Sequence, residues 1–314
     1  MPTTVALTGA SGFIGQAIAH RLIQAGLKVR GLVRTSRKIP NLEHQNITLV
    51  SGTLDQKESL HKLIQGCTGL VHCAGAIRGS EKKDFIPSNI QGVANLLSVC
   101  LSQTHPPRIV HLSSLAAREP SLSPYAWSKR EGELLFQKDG ESLNWIILRP
   151  PAVYGPGDEA LLPLFRLGKK GIALQLGPSE GKFSLIHVHD LTDVILRSLE
   201  AETIRSTILE VDDGLAKGHS WKSVFHILNP QMKVHVTISP KLLRLIGKSN
   251  EFLSRLFRYS PLFTTGKVNE LVHTNWVCES LEARQQLEWN PKIPLEEGLR
   301  HLFTSDSLIL LKKN

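Results

Sequence analysis

Short apolar runs alternate with helical stretches through the first half of the chain. Val5–Leu7, Val29–Val33, Ile47–Val50, Leu70–Cys73, Ile109–Leu112 and Trp145–Leu148 are short, apolar and often β-branched. Such runs suit strands buried on both faces of a parallel sheet. Between them Ile14–Ala25, Lys57–Gln65, Phe85–Ser102 and Ala126–Lys138 read as helices. In the third, Ile90, Val93, Leu96 and Leu97 recur at helical spacing and give one buried face. Strand–helix alternation over about 150 residues predicts an α/β, doubly wound parallel sheet with right-handed crossovers.

After Arg149-Pro150-Pro151 the alternation breaks down, and Gly and Pro become frequent through Gly155-Pro156-Gly157 and Gly177-Pro178. The remainder mixes helices with a few strands, Thr207–Val211 and Lys233–Ile238. Two units are therefore expected. Residues 1–155 form the doubly wound domain, of Rossmann type, and 156–314 a smaller mixed α/β lobe. Within that lobe, 182–202 is a return segment in which Phe183–Val188 rejoins the main sheet as a strand. Lys241–Tyr259 is apolar at helical spacing and carries five basic residues. It reads as a pair of lobe helices burying Leu and Phe beneath a solvated basic face. The other reading is a membrane-surface contact or a cap over a lipophilic substrate.

Composition narrows the class. The 314 residues are 41% hydrophobic and 21% charged, a globular profile that argues against disorder and fibrous structure. The net charge is +9, from 37 Lys and Arg against 28 Asp and Glu. This excess admits nucleic acid, a membrane surface or a phosphorylated ligand. No helix-turn-helix, zinc finger or aromatic–basic stripe appears, so no nucleic-acid partner is expected. No leader and no membrane span are expected either. Cys67, Cys73, Cys100 and Cys278 are scattered without zinc spacing, which fits reduced thiols in a cytoplasmic protein and no metal site. His187 and His189 alternate along an expected strand, so they face opposite sides and serve structural roles.

Thr8-Gly9-Ala10-Ser11-Gly12-Phe13-Ile14-Gly15 follows the first strand and opens the first helix. Its G-x-x-G-x-x-G spacing supplies a tight turn, close backbone approach to a pyrophosphate and close helix–strand packing. The helix N-terminus then offers free N–H groups to phosphate. The second strand ends at Val33 and Arg34 follows, with Arg37 and Lys38 close behind and no Asp or Glu from Gly31 through Asn41. An acid there would hold a ribose 2′-hydroxyl, whereas an Arg accommodates a 2′-phosphate. NADP is therefore expected, with NAD the alternative.

Tyr125-Ala126-Trp127-Ser128-Lys129 places Tyr and Lys four apart, on one helical face. A phenol is a poor base at neutral pH, and a nearby ammonium favours its phenolate. Such a pair can exchange a hydroxyl proton while hydride moves to or from a nicotinamide. Upstream, strand Ile109–Leu112 ends in Ser113-Ser114, where a hydroxyl can bond the reacting oxygen.

With these motifs the chain resembles the extended short-chain dehydrogenases/reductases, in the NAD(P)-dependent epimerase/dehydratase group. Further matches are Val71-His72-Cys73-Ala74-Gly75, Asn89-Ile90-Gln91-Gly92-Val93-Ala94-Asn95-Leu96-Leu97, Arg149-Pro150-Pro151-Ala152-Val153-Tyr154-Gly155-Pro156-Gly157-Asp158, Ile186-His187-Val188-His189-Asp190-Leu191 and Trp289-Asn290-Pro291. The resemblance implies that Tyr125 is the general acid/base and that Lys129 holds the nicotinamide ribose and lowers the phenol pKa. Ser114, ahead of Ser113, would orient the substrate oxygen, and Asn89 would support the network. It implies cofactor contacts at Gly9, Ser11, Gly12, Phe13, Ile14 and Gly15, at Arg34 and Arg37, at Thr53 and Leu54, at Cys73, Ala74 and Gly75, and at Pro150 and Val153. A homodimer through Phe85–Ser102 and Ala126–Lys138 is implied by analogy.

Three departures qualify the substrate. Thr53 stands where an Asp would hold adenine, the Ser114-to-Tyr125 segment is short, and Phe183 replaces an Arg that meets a substrate diphosphate, with Lys182 adjacent. The leading reading is an NADP(H)-dependent oxidoreductase acting on a small-molecule secondary alcohol or ketone. The alternatives are a nucleotide-sugar epimerase or dehydratase with tightly held cofactor, and a non-enzymatic NADP-binding scaffold or redox sensor.

Overall fold

All six runs read as strands are strands, with ends within a residue of the apolar stretch; the fourth is shifted by one, to Gly69–His72, and leaves Cys73 outside. The computed structural model describes residues 3–34 and 39–303. Through the first half the chain forms β1 (Thr4–Thr8), α1 (Phe13–Gln24), β2 (Lys28–Val33), β3 (Ile47–Ser51), α2 (Lys57–Ile64), β4 (Gly69–His72), α3 (Lys82–Phe85), α4 (Gly92–Leu101), β5 (Arg108–Leu112), α5 (Pro124–Asp139) and β6 (Trp145–Arg149). Then follow β7 (Ala152–Tyr154), α6 (Leu162–Lys169), β8 (Ile172–Leu176), β9 (Lys182–Phe183), β10 (Leu185–His187), α7 (Val188–Glu200), β11 (Thr207–Glu210), α8 (Trp221–Leu228), β12 (Val234–Ile238), α9 (Pro240–Phe257), α10 (Thr265–Val272), β13 (Asn275–Trp276), α11 (Leu281–Gln286) and α12 (Leu295–Phe303).

The main sheet is parallel throughout, in the order β11-β6-β5-β4-β1-β2-β3. From β3 to β6 this is the doubly wound order whose crevice lies where the strand order reverses, at β1 and β4. Alternate residues feed opposite layers, as a pleated strand requires. Val5, Leu7, Val71 and Val110 pack with Ile18, Leu22 and Val194 of α1 and α7. Ala6, Leu70 and Ile109 pack with Leu63, Leu96 and Phe136 of α2, α4 and α5.

Three expectations are corrected here. Phe183–Val188 does not rejoin the main sheet. Leu185–His187 pairs in parallel with Ala152–Tyr154, and Lys182–Phe183 pairs with Asn275–Trp276. The seventh strand is instead Thr207–Glu210, beside β6, with Ile208 opposite Ile147. It is short and lies beyond about a third of a lobe-like insertion, so local periodicity does not tie it to the first six. Second, His187 and His189 do not flank a strand. His187 ends β10 and caps α7, its Nδ1 accepting from the His189 N–H at 3.2 Å, and the two rings lie 4.9 Å apart. Third, Lys241–Tyr259 is not a helix pair that buries its Leu and Phe. It is one helix, α9, with only Leu243, Gly247 and Ser254 buried. The predicted helix over Phe85–Ser102 does form, but a π-helical turn over Ile86–Gln91 interrupts it.

Buried Asp190 accepts hydrogen bonds from the backbone N–H groups of Lys292 (2.9 Å) and Ile293 (3.0 Å). The two late sequence motifs are thus one structural unit tying the start of α7 to the segment before α12. Around the sheet's C-terminal end, β8 and β12 pair in parallel beneath α6 and α8. Among the described residues, no helix is long and apolar enough to cross a membrane.

Candidate active site

The site begins where β1 ends. Gly9 adopts φ +73°, open to glycine at little cost. A Cβ on Gly9 would lie 2.8 Å from the Ala74 nitrogen, and one on Gly15 would lie 2.0 Å from the Gly9 carbonyl oxygen. These two glycines let α1 sit directly on the loop. Gly12 heads α1 with no side-chain cap, which leaves first-turn N–H groups facing outward beside a positive helix end. Gly12 and Ser11 are exposed, while Phe13 and Ile14 are half-buried. The loop therefore fits a pyrophosphate on steric and electrostatic grounds.

Beside it, Thr8 Oγ1 bonds His72 Nδ1 at 2.7 Å and accepts from the Ala74 N–H at 3.2 Å. This fixes Cys73-Ala74-Gly75 across the crevice. Burial pushes the Cys73 thiol up to about 12 and His72 down to about 3, so both are neutral in this wall. At the far edge Arg34 follows β2 and is exposed; Arg37 lies outside the described residues. Thr53 hydrogen-bonds Asp55 and holds its exposed carboxyl below the ordinary range. The Leu54 carbonyl accepts from Asn95 at 2.9 Å, which pins the loop after β3 to α4.

Asn89 occupies the π-helical turn, a feature that recurs at functional sites. Its Oδ1 accepts from the Ala76 N–H at 2.7 Å, and its Nδ2 donates to the Ala76 carbonyl and to Ser128 Oγ at 2.9 Å. Ser128 in turn donates to the Tyr125 carbonyl at 2.8 Å. Asn89 thus clamps the strand-end segment to the first turn of α5. Lys129 Nζ donates to the Leu112 carbonyl at 2.7 Å. It lies 3.9 Å from where a Gly75 Cβ would be. Burial lowers its pKa to about 8, against the pull of Cys73 and Glu133.

The serine pair divides cleanly. Ser113 is buried and donates to Glu133 Oε1, away from the crevice. Ser114 caps the turn after β5 and shares a hydrogen bond with Tyr125. Burial raises the Tyr125 phenol above its ordinary value, opposed by Ser114 and by the ammonium of Lys267, and reinforced by Glu270. Lys267 of α10 is therefore a cation bearing on the phenol, in addition to the Lys129 expected from spacing.

Ser128, Lys267 and Glu270 escape sequence reasoning. Lys267 and Glu270 stand three apart and pair at 2.8 Å, a spacing visible in the chain. Their approach to Tyr125 is tertiary. Glu270 accepts from Ser123 Oγ, and Gly266 is pressed onto Ser123 and Pro124. The N-terminus of α5 is thereby clamped to the lobe.

Tyr125 and Ser114 open onto a cavity of about 660 Å3. Its wall is mostly aliphatic and aromatic, including Val153, Leu164, Leu174, Phe183, Leu185 and Trp221, with Lys182, Lys267 and Glu270 its charged members. Phe183 packs against Trp221 with ring centroids 4.6 Å apart and the planes tilted by 44°. Pro150 is buried and its carbonyl accepts from Leu115 at 2.8 Å, while Val153 reaches the cavity. Among the described residues no cluster of His, Cys, Asp and Glu could hold a metal ion.

Comparison with known proteins agrees with this geometry. Residues 5–208 match the NAD dependent epimerase/dehydratase family. The chain is 30% identical over 301 residues to a ceramide reductase of Caulobacter vibrioides, covering 95% of this chain and 92% of that one. It is 25% identical to a 2-alkyl-3-oxoalkanoate reductase of Stenotrophomonas maltophilia, over 96% and 99% of the two chains. In fold it is similar to the UDP-glucose 4-epimerase of Thermotoga maritima, with TM-score 0.75, 19% identity and coverage of 99% and 100%. The chain belongs to the NAD(P)-dependent epimerase/dehydratase family of extended short-chain dehydrogenases/reductases, and is an NAD(P)-dependent enzyme.

Proposed function

We propose that the chain is an NADP(H)-dependent reductase of a ketone borne on a lipophilic body. The observation that carries this is the cavity: an apolar space of about 660 Å3 with a hydroxyl pair, Ser114 and Tyr125, at its wall. A diphosphate would call for bidentate cations, yet the position that would supply one is Phe183, packed against Trp221. The names of two relatives, a ceramide reductase and a 2-alkyl-3-oxoalkanoate reductase, support a substrate of this class.

The nicotinamide, when bound, supplies the hydride. Gly9, Gly12 and Gly15 shape the loop for its pyrophosphate, Lys129 and Asn89 stand beside the Ala74–Gly75 wall, and Val153 borders the reacting end. Ser114 hydrogen-bonds the carbonyl oxygen and Tyr125 donates a proton to it. Because burial keeps the phenol protonated, the chain is poised for reduction. Lys267 steadies the phenolate left behind. Carbonyl, hydride and proton together give the secondary alcohol.

Arg34 is the basis for NADP over NAD. Loss of one charge-assisted contact is worth about 1.5–3 kcal/mol. Arg34→Ala is thus expected to raise KM for NADPH by about 10- to 100-fold and leave NADH kinetics unchanged. Equal effects on both cofactors would remove Arg34 from the 2′-phosphate. A homodimer through α4 and α5, where Leu101 and Leu134 are exposed, and a reducing cytoplasmic setting, consistent with four unpaired cysteines, complete the reading.

The test is a ladder of 3-oxo compounds of increasing acyl length, offered with NADPH. Each methylene buried in the cavity is worth about 0.8 kcal/mol, so kcat/KM should climb about fourfold per added carbon until the cavity fills. Turnover of a nucleotide sugar without net loss of NADPH, and none of the 3-oxo ladder, would replace this reading with epimerisation.

A further inference from the structure

Helix α9 carries an apolar face that nothing among the described residues covers. Phe252 and Phe257 are each 68% exposed, Leu256 64% and Leu245 61%, with Leu242, Ile246 and Leu253 also exposed. At about 100° per residue these side chains fall within one arc of about 140°. The opposite side is firmly seated. Glu251 Oε1 accepts from the N–H and hydroxyl of Thr265 at 2.7 Å, Asn250 donates to the Phe263 carbonyl at 2.7 Å, and Gly247 abuts Thr264. The exposed face therefore belongs to a fixed helix.

Along one border of that arc run Lys241, Arg244, Lys248 and Arg255, and Arg258 caps the helix. Of the ionisable residues from Pro240 to Arg258, five are basic and one, Glu251, is acidic and turned inward. Arg255 reaches Glu81 at 3.2 Å. An apolar arc with a basic border is the pattern of a helix lying in a membrane interface, with apolar side chains in the acyl boundary and cations at anionic headgroups. A second copy of the chain fits less well in the antiparallel pairing, because a two-fold contact is self-complementary and would there bring one basic border onto another.

The face also continues into the cavity of the candidate site. Leu262, 41% exposed and just beyond the end of α9, lines that cavity, as do Phe263 and the 63% exposed Ile77. The Gly79 N–H bonds the Pro261 carbonyl at 2.9 Å, which holds the two sides of the rim together.

We infer that α9 docks this protein on an anionic lipid surface, with the cavity rim at the docked side. That the cavity then draws substrate from the lipid rests on the ketone-reductase reading above; the docking itself does not.

The full chain is tested by flotation with vesicles of phosphatidylcholine alone and of phosphatidylcholine mixed equally with phosphatidylglycerol. Binding is expected to the anionic vesicles and to fall with added salt. The triple variant Phe252→Ser, Leu256→Ser, Phe257→Ser should lower the bound fraction at least about tenfold. The charge variant Lys241→Glu, Arg244→Glu, Lys248→Glu should do so only on anionic vesicles. In both variants, turnover of a short water-soluble ketone and thermal unfolding should match wild type, so a failure of the reductase reading would show in turnover and not in flotation. Three results would overturn the docking: no binding of the wild type to anionic vesicles, binding that survives the triple variant, or a wild-type oligomer in sedimentation that the triple variant dissociates, since a second copy would then cover the face.

Discussion

Tyr125→Phe is expected to lower kcat for carbonyl reduction by about 10²–10⁴-fold, the usual worth of a positioned acid or base. The substitution removes one oxygen and keeps the ring that packs against Phe85 at a centroid distance of 6.0 Å. Unfolding and NADPH binding should therefore stay close to wild type, and the loss should fall on kcat. The pH dependence follows from the sign of the shift. Burial places the phenol above its ordinary value, so the acid form that reduction consumes persists across the neutral range and the reductive rate should be flat there. Alcohol oxidation needs the phenolate, whose fraction grows tenfold per pH unit below the pKa, so the oxidative rate should climb steadily to the alkaline end. Lys267→Met should steepen the handicap of oxidation, because the ammonium that favours the phenolate is gone. A Tyr125→Phe enzyme with near-normal kcat, or an oxidative rate indifferent to pH, would assign the proton to another group.

The glycine loop and the Tyr125 helix of this candidate site were legible in the sequence because their constraints are local. Gly9 and Gly15 are dictated by a turn and a contact within seven residues of each other, and the Tyr125–Lys129 spacing is set by one helix. Buried strands in a parallel sheet announce themselves as apolar runs, so β1 to β6 were readable nearly to the residue. What was not legible depends on distant partners. Thr207–Glu210 is a strand of the main sheet only because β6 leaves an edge for it, and Leu185–His187 pairs with β7 because His187 must turn to cap α7. Lys267 and Glu270 reach Tyr125 through Gly266 and Ser123, across nearly half the chain. The misreading of α9 has a different origin. Helical periodicity reports that one face is apolar, and the step from apolar to buried assumes a partner inside the chain.

The largest stability effect should come from the buried charges behind the serine pair. Glu133 is fully buried in α5, one turn beyond Lys129. Arg149 at the end of β6 grips it bidentately, Nε to Oε1 at 2.8 Å and Nη2 to Oε2 at 2.6 Å, while Ser113 and Arg130 supply further donors. Arg149 also lies 4.0 Å from Glu210 of β11, which Arg118 meets at 3.3 Å. The cluster therefore joins α5, β5, β6 and β11 directly beneath Ser114 and Lys129. Such a pair adds little over apolar packing of the same volume, but breaking it strands a carboxylate without water. Arg149→Met should accordingly cost about 3–5 kcal/mol in urea unfolding. The triple replacement Arg149→Met, Glu133→Leu, Ser113→Ala should recover most of that loss, because no buried unpaired charge or hydroxyl remains: Arg130 is a third exposed and Glu210 keeps Arg118. Because the cluster sets the angle of α5 to β5, the rescued protein should still turn over more slowly than wild type, with the deficit in kcat. An Arg149→Met protein within about 1 kcal/mol of wild type, the range of an exposed pair, would mean that water reaches Glu133 and that the cluster does not fix the catalytic helix.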